Sequence, residues 1–293
     1  MAAGDLVAVF LPGRGMLGAS LRHRGQELLG RVEDLEAAAA KGSTAGIPFL
    51  YPWANRLAGI RYQYGGHAVV LDPTSRLLHL DEKGLPIHGV PWSRLSWEVT
   101  NATADTLSAR LDWTREELLA VFPFRHHVEL TVALRPEGVT LETTVVASGN
   151  ETVPVSFGFH PYLTLPDQAR GQWRLTLPEM RKYLLDGRGI PTGAETVFAG
   201  FDGPLAETNF DDGFALLHEP ATLSMRGPNR RLSVELLHGY GCAQVFAPKG
   251  KDFIALEPMT APTAALSQGG GLRAVAPGGQ FQAAFRIRVE WLA

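Results

Sequence analysis

Glu257 occupies an unusual setting. The run Phe253-Ile254-Ala255-Leu256 carries no charge, Glu257 follows it, and Pro258 and Pro262 stop any regular continuation. So short an apolar run predicts a strand buried on both faces. Ionised carboxylates are seldom found unpaired in such strands, because stripping water from the charge is costly. Either a partner compensates Glu257 or its pKa rises, and both outcomes suit a general base working near neutral pH. The structural alternative is a Glu that caps the strand end in water or pairs with an arginine.

Two histidines share this kind of context. His88 lies in Pro86-Ile87-His88-Gly89-Val90-Pro91-Trp92, a Gly/Pro-rich loop beside an indole. His160 ends the aromatic run Phe157-Gly158-Phe159 and is stopped by Pro161-Tyr162. Imidazole titrates nearest physiological pH, so loop-borne histidines against aromatic walls are common material for proton transfer. Singly, each is more often a satisfied structural residue. With Glu257 in a third such setting, they form a set.

Asn55 and Arg56 follow the aromatic stretch Phe49 to Trp53. A guanidinium there can donate a fork of hydrogen bonds to hydroxyls or a carboxylate, or can stack structurally on Trp53. Asp211-Asp212-Gly213 places two acids before the apolar run Phe214 to Leu217. A turn at Asp-Gly would account for one acid and leave the other for a ligand. Register decides which faces inward, since a slip of one residue exchanges them.

The elements that must position these side chains are strands. Thirty-two glycines and 20 prolines are spread evenly and punctuate short runs. Leu107 to Trp113, His127 to Leu134, Val139 to Val145 and Phe281 to Trp291 alternate apolar and polar residues, the pattern of strands with one buried face. Arg135-Pro136-Glu137-Gly138 joins two of them as a hairpin turn. Helical signal is scarce, with a short helix predicted over Val32 to Lys41 and a stop at Gly42. Composition does not shift along the chain. A single all-β domain over residues 1–293, a large antiparallel sandwich, is the economical prediction.

Composition also narrows function. With 27 basic and 30 acidic residues the net charge is -3, which points away from nucleic acid and anionic membrane surfaces. The single cysteine, Cys242, forbids an intramolecular disulfide and fits a reducing compartment; it opens an apolar strand and reads as a packed thiol. Leu6 to Leu11 is too short for a signal peptide or membrane span, so a soluble, cytoplasmic chain is expected. There is no Gly-x-x-x-x-Gly-Lys-Ser/Thr phosphate loop or Gly-x-Ser-x-Gly elbow. The histidines at 88, 126, 127, 160, 218 and 238 lack the His-x-x-x-His spacing of a helical zinc site, which leaves metal catalysis a weak claim. His126 and His127 are adjacent, so at most one could face a pocket.

Taken in order, these segments resemble the aldose 1-epimerase (galactose mutarotase) family, including its hexose-6-phosphate and related bacterial branches. The resemblance rests on Asn55-Arg56 after an aromatic run, His88-Gly89 before Trp92, and His160-Pro161-Tyr162 ending a strand. Asp211 in a Phe-Asp-x-x-Phe segment and Glu257 in Leu-Glu-Pro-Met-Thr-Ala-Pro complete it. Gly18-Ala19-Ser20-Leu21, Arg24 to Leu29 and Ala276-Pro277-Gly278 extend it over nearly the whole chain. The family implies a β-supersandwich and cofactor-free interconversion of α and β sugar anomers. By this resemblance Glu257 takes the proton of the C1 hydroxyl and His160 protonates the ring oxygen, opening the ring. His88, Arg56 and Asp211 would hold hydroxyls, with Asn55 beside them. Trp53, Trp92, Phe159 and Tyr162 would suit the apolar faces of the ring. The segment between His88-Gly89 and Trp92 is shorter than in familiar members, where an arginine usually intervenes. Three rivals stand beside this reading. A sugar 6-phosphate substrate would draw on Arg56, Arg61, Arg76 and Arg94. A glycosidase would use Asp211 and Glu257 as paired carboxyls. A sugar-binding protein would have kept the fold and lost turnover.

Overall fold

The computed structural model describes residues 1–166 and 168–292. Strands hold 51% of it and helices 9%, about twice the strand content of an average globular protein. One nine-stranded antiparallel sheet runs in the order Phe201–Pro204, Arg174–Leu177, Ala221–Arg226, Arg230–His238, Gln280–Trp291, Gly138–Val146, His126–Arg135, Thr106–Trp113 and Glu98–Ala102. The predicted hairpin lies inside it, with Arg135 opposite Gly138. A second sheet runs Pro191–Phe198, Met180–Leu185, Phe210–Leu216, Cys242–Ala247, Ile254–Met259, Gly158–Phe159 and Phe49–Leu50, with Tyr162–Leu163 also paired to Ile254–Met259. A four-stranded sheet is built from the N-terminal strands between Ala2 and Glu27.

The main core lies between the two large sheets. Phe159 of one packs on Phe285 of the other, ring centroids 5.0 Å apart, and Phe285 also meets Tyr240. Val245, Leu256 and Phe159 are fully buried there, each side chain contributing about 1.5–3 kcal/mol. Because side chains alternate along a strand, their neighbours Gln244, Glu257 and His160 point to the opposite face. That face is covered too, and all six residues of Ile254–Met259 are buried, as the apolar run predicts.

Local departures from the sequence reading have local causes. The short helix spans Leu35–Lys41, starting later than predicted, because the Asp34 carboxylate caps it by accepting the Ala37 N–H at 2.9 Å. Asp212-Gly213 is not a turn; both lie inside Phe210–Leu216. A side chain there would be crowded, since a Cβ on Gly213 would sit 3.0 Å from Gln244 Oε1 and 3.2 Å from the Tyr183 ring. Glu116–Val121 forms a second short helix. His126 serves the core. Its Nδ1 donates to the Phe124 carbonyl at 2.6 Å and its Nε2 pairs with the Tyr51 hydroxyl.

Candidate active site

The register of the second sheet assembles the site. Gln244 lies opposite Glu257, and Gly213 opposite Gln244. The pairs Gly158–Met259 and Tyr162–Ala255 bracket the next position, which sets His160 opposite Glu257. One cross-strand row therefore reads Gly213, Gln244, Glu257, His160. Within it His160 Nε2 stands 3.2 Å from Glu257 Oε1, both side chains being almost wholly buried. Tyr162 stacks on the His160 ring at 4.3 Å and is fixed by a 2.6 Å hydrogen bond with Thr44 Oγ1.

Two crossing segments bring the remaining groups over this row. The Arg56 and Ile87 backbones bridge antiparallel, the His88 N–H donates to the Asn55 carbonyl at 2.9 Å, and Gly89 bridges to Tyr51. Gly89 (φ +68°) must be glycine, because a Cβ would overlap the Tyr51 carbonyl. Asn55 and His88 themselves hold φ of 55° and 63°. Side chains in this region cost about 1–3 kcal/mol each and gather at functional sites. The strain here points the His88 ring at His160, centroids 5.6 Å apart and edge to face.

Arg56 is held from two sides. Its Nε donates to Asp81 Oδ2 at 2.6 Å and its Nη1 to Asn55 Oδ1 at 3.2 Å. Asp81 Oδ1 in turn accepts the backbone N–H groups of Lys83 and Leu85 at 2.9 Å each. Asp211 accepts from Gln244 Nε2 at 2.8 Å, whereas Asp212 pairs with Lys182 at 2.6 Å. Register thus turns Asp211 to the row and Asp212 away. A pocket of about 670 Å³ opens among Arg56, His79, Asp81, His88, Asp211 and Phe246, within the range of ligand sites.

Burial governs the electrostatics. It holds the Glu257 carboxyl well above the usual carboxylate range, with the Asp211 charge adding to the rise and Arg56 opposing it. Burial pushes the His160 imidazole down to about 3, with Arg31 acting in the same direction. His88 is lowered by burial first and then by His160, Arg56 and His79. The Glu257–His160 pair therefore holds one proton across the neutral range. It is an acid and a base placed side by side in a water-poor site.

Of the predicted residues, Glu257, His160, His88, Arg56, Asn55, Asp211 and Tyr162 converge. Trp92 does not border the pocket. It is buried behind His88 and donates its indole N–H to the Ser43 carbonyl at 2.9 Å. Trp53 and Phe159 are core. Sequence reasoning passed over Gln244, although a lone polar residue inside Cys242–Ala247 is the same signal that Glu257 gives. It also passed over Asp81, His79, Arg31 and Phe246, of which the first three sit on aperiodic segments without a pattern to read.

The aldose 1-epimerase family model matches residues 18–288. The Escherichia coli (strain K12) protein YphB is 25% identical over 98% of this chain and 100% of its own length. Among solved structures, a galactose mutarotase-like protein from Clostridium acetobutylicum superposes with a TM-score of 0.85, at 20% identity over 100% of this chain and 94% of that one. Slr1438 from Synechocystis sp. PCC 6803 gives 0.79 at 24% identity, over 98% and 92%. These two show the fold.

Proposed function

We propose that this chain, which belongs to the aldose 1-epimerase family, interconverts the α and β anomers of an uncharged aldose. The observation that carries the reading is the buried Glu257–His160 pair with its 3.2 Å separation. A cyclic hemiacetal bears its hydroxyl oxygen and its ring oxygen on one carbon. Opening it requires a base on the first and an acid on the second, so the two groups must be near neighbours. Glu257 accepts the C1 hydroxyl proton as His160 protonates the ring oxygen. The C1–C2 bond rotates in the open aldehyde, and the reverse transfers close the ring on the other face. Burial in the free protein leaves the pair's one proton on Glu257, so it passes to His160 across the 3.2 Å contact before the ring opens, and ring opening returns the pair to its starting form. Positioned transfers of this kind contribute typically ~10²–10⁴-fold. His88, Arg56 and Asp211 hold the ring hydroxyls, and Tyr162 keeps the His160 ring in plane.

Mixed charge at the pocket supports an uncharged sugar over a sugar phosphate. Of Arg56, Arg61, Arg76 and Arg94, Arg56 alone borders the pocket, and Asp81 already engages it. Lys83 donates to the Gly187 carbonyl at 3.0 Å, and Asp81, Glu82 and Asp211 offset the cations. The single cysteine supports a cytoplasmic setting. Among the described residues no helix is long and apolar enough to cross a membrane.

Polarimetry of fresh α-D-glucose and α-D-galactose tests the proposal, with spontaneous mutarotation as the blank. Acceleration should vanish in Glu257→Gln and in His160→Asn while calorimetry still detects sugar binding to both. Turnover retained by either variant would sink its assigned role.

A further inference from the structure

The groups around the catalytic pair read oxygens more than they read a ring. Arg56 commits Nε to Asp81 and Nη1 to Asn55, which leaves Nη2 as its free donor among the described residues. Asp211 gives Oδ1 to Gln244 and keeps Oδ2. These two groups and the His88 imidazole can hold hydroxyls on any short carbon chain. Little in the wall asks for the apolar face of a pyranose. Trp53 and Phe159 lie in the core, Trp92 is turned to Ser43, and Tyr162 is stacked on His160. Phe246 is the one phenyl, phenol or indole ring among the described residues that border the pocket, and it meets the His160 ring edge on, centroids 5.9 Å apart.

The acid–base pair is just as indifferent to the ring. It needs two oxygens on one carbon, one to lose a proton and one to gain a proton. An aldehyde hydrate, RCH(OH)₂, carries that pair of oxygens, with a hydroxyl where a hemiacetal has its ring oxygen. Glu257 as carboxylate takes the proton of one hydroxyl while His160 as imidazolium protonates the other. The electrons of the broken O–H bond become the second bond of the C=O group. The bond to the other oxygen breaks, and its electron pair leaves with that oxygen as water. Carbon keeps its oxidation level, Glu257 ends protonated and His160 neutral, and the proton crosses their 3.2 Å contact to restart the cycle. The departing water has an exit beside the pair, in the pocket of about 670 Å³ that His88 and Asp211 border.

We propose that this site has a second activity, the reversible dehydration of the hydrates of short α-hydroxyaldehydes. Arg56 and Asp211 hold the hydroxyl next to the reacting carbon, and Glu257 and His160 exchange water at that carbon. This rests on the roles that the epimerase reading gives the pair. Enzymes that reduce or condense a carbonyl act on the free aldehyde, and this activity would supply them.

Glycolaldehyde and D-glyceraldehyde test the proposal, since neither has enough carbons to close a sugar ring and mutarotate. Carbon-13 exchange NMR at equilibrium reads the rate at which hydrate and free aldehyde interconvert, and polarimetry of glucose and galactose runs beside it. Exchange on the protein should run about 10²–10⁴ times faster than the spontaneous reaction and should fall to the blank in both Glu257→Gln and His160→Asn, with thermal melts confirming that each is folded. Glycolaldehyde should exceed acetaldehyde, which lacks the α-hydroxyl, by about tenfold in kcat/KM. Mutarotation without faster hydrate exchange would overturn the second activity and leave the epimerase reading in place. Exchange that survives in both variants, or that serves acetaldehyde equally well, would also overturn it, by assigning the catalysis to groups outside the site. Exchange that follows the pair, in a protein that mutarotates no aldose, would uphold the dehydration and remove the epimerase reading instead.

Discussion

Asp81 is placed to act through Arg56, and Asp81→Asn isolates that role. Both side chains are mostly shielded, 10% and 23% exposed, and their contact at 2.6 Å is charge-assisted. In the variant the amide oxygen can still accept the Lys83 and Leu85 N–H groups, as Asp81 Oδ1 does. The amide nitrogen then faces Arg56 Nε, and two donors meet. A hydrogen bond to a charged group is worth about 1.5–3 kcal/mol, which corresponds to roughly 10- to 150-fold in kcat/KM. Arg56 is assigned to hydroxyls that it holds equally in the ring and at the transition state. The loss should therefore appear as a raised KM with kcat retained. Initial-rate polarimetry over a range of sugar concentrations measures the split, and a thermal melt monitors the turn. A kcat/KM unchanged within about twofold, with the melt intact, would refute the positioning role. A fall in kcat at constant KM would refute the ground-state assignment of Arg56.

Glu257→Gln should lower turnover by about 10²–10⁴ and raise the melting temperature in alkaline buffer. The folded state holds this proton more tightly than the unfolded chain, so wild-type stability falls as pH rises above the ordinary carboxylate value; parallel pH–melt curves for the two proteins would contradict this. For His126 the sign is opposite. Burial pushes it down from 6.5 to about 4, so its contribution is lost as pH falls through that interval, about 3 kcal/mol in all. Denaturant unfolding of wild type and His126→Gln at pH values across the interval should show the gap between them closing on the acid side. Gly89→Ala should cost about 1–3 kcal/mol and weaken sugar binding, because the backbone that aims His88 must move away from Tyr51; calorimetric melting and a KM measurement check both. If His160 carries the low pKa that burial imposes, kcat/KM should pass through pH 6.5 without inflection, and a titration step there would assign the proton elsewhere.

The strand architecture was legible because alternation and buried runs are local properties, and Ile254–Met259 is buried as its composition demands. Glu257 and His160 were legible for a related reason: each breaks an apolar run at a point where burial cannot be avoided. Their pairing was not, since only the alignment of three strands places them face to face. The choice of Asp211 over Asp212 was open for the same reason. Trp92 read as a binding aromatic from its neighbour His88, yet the positive φ of His88 and Gly89 turns the chain before Trp92. Asp81 acts through Arg56 from an aperiodic segment with no pattern to read, whereas Gln244 carries the signal of a lone polar residue in an apolar strand.

The register row has an architectural consequence. Distance between acid and base is set by ladder hydrogen bonds within a sheet, which also carries Asp211, whereas Arg56 and His88 ride on crossing segments. Chemistry and part of the selectivity are thus carried by separable parts of the molecule. Exchanging residues 79–85 or the hairpin tip around Gly187 can redraw which sugar is accepted while the proton-transfer distance stays put. A single residue inserted before Gln244 in Cys242–Ala247 would act on the sheet instead, turning Gln244 into the core and taking Phe246 out of the pocket wall with it. Diversification of this scaffold toward new sugars belongs in its walls.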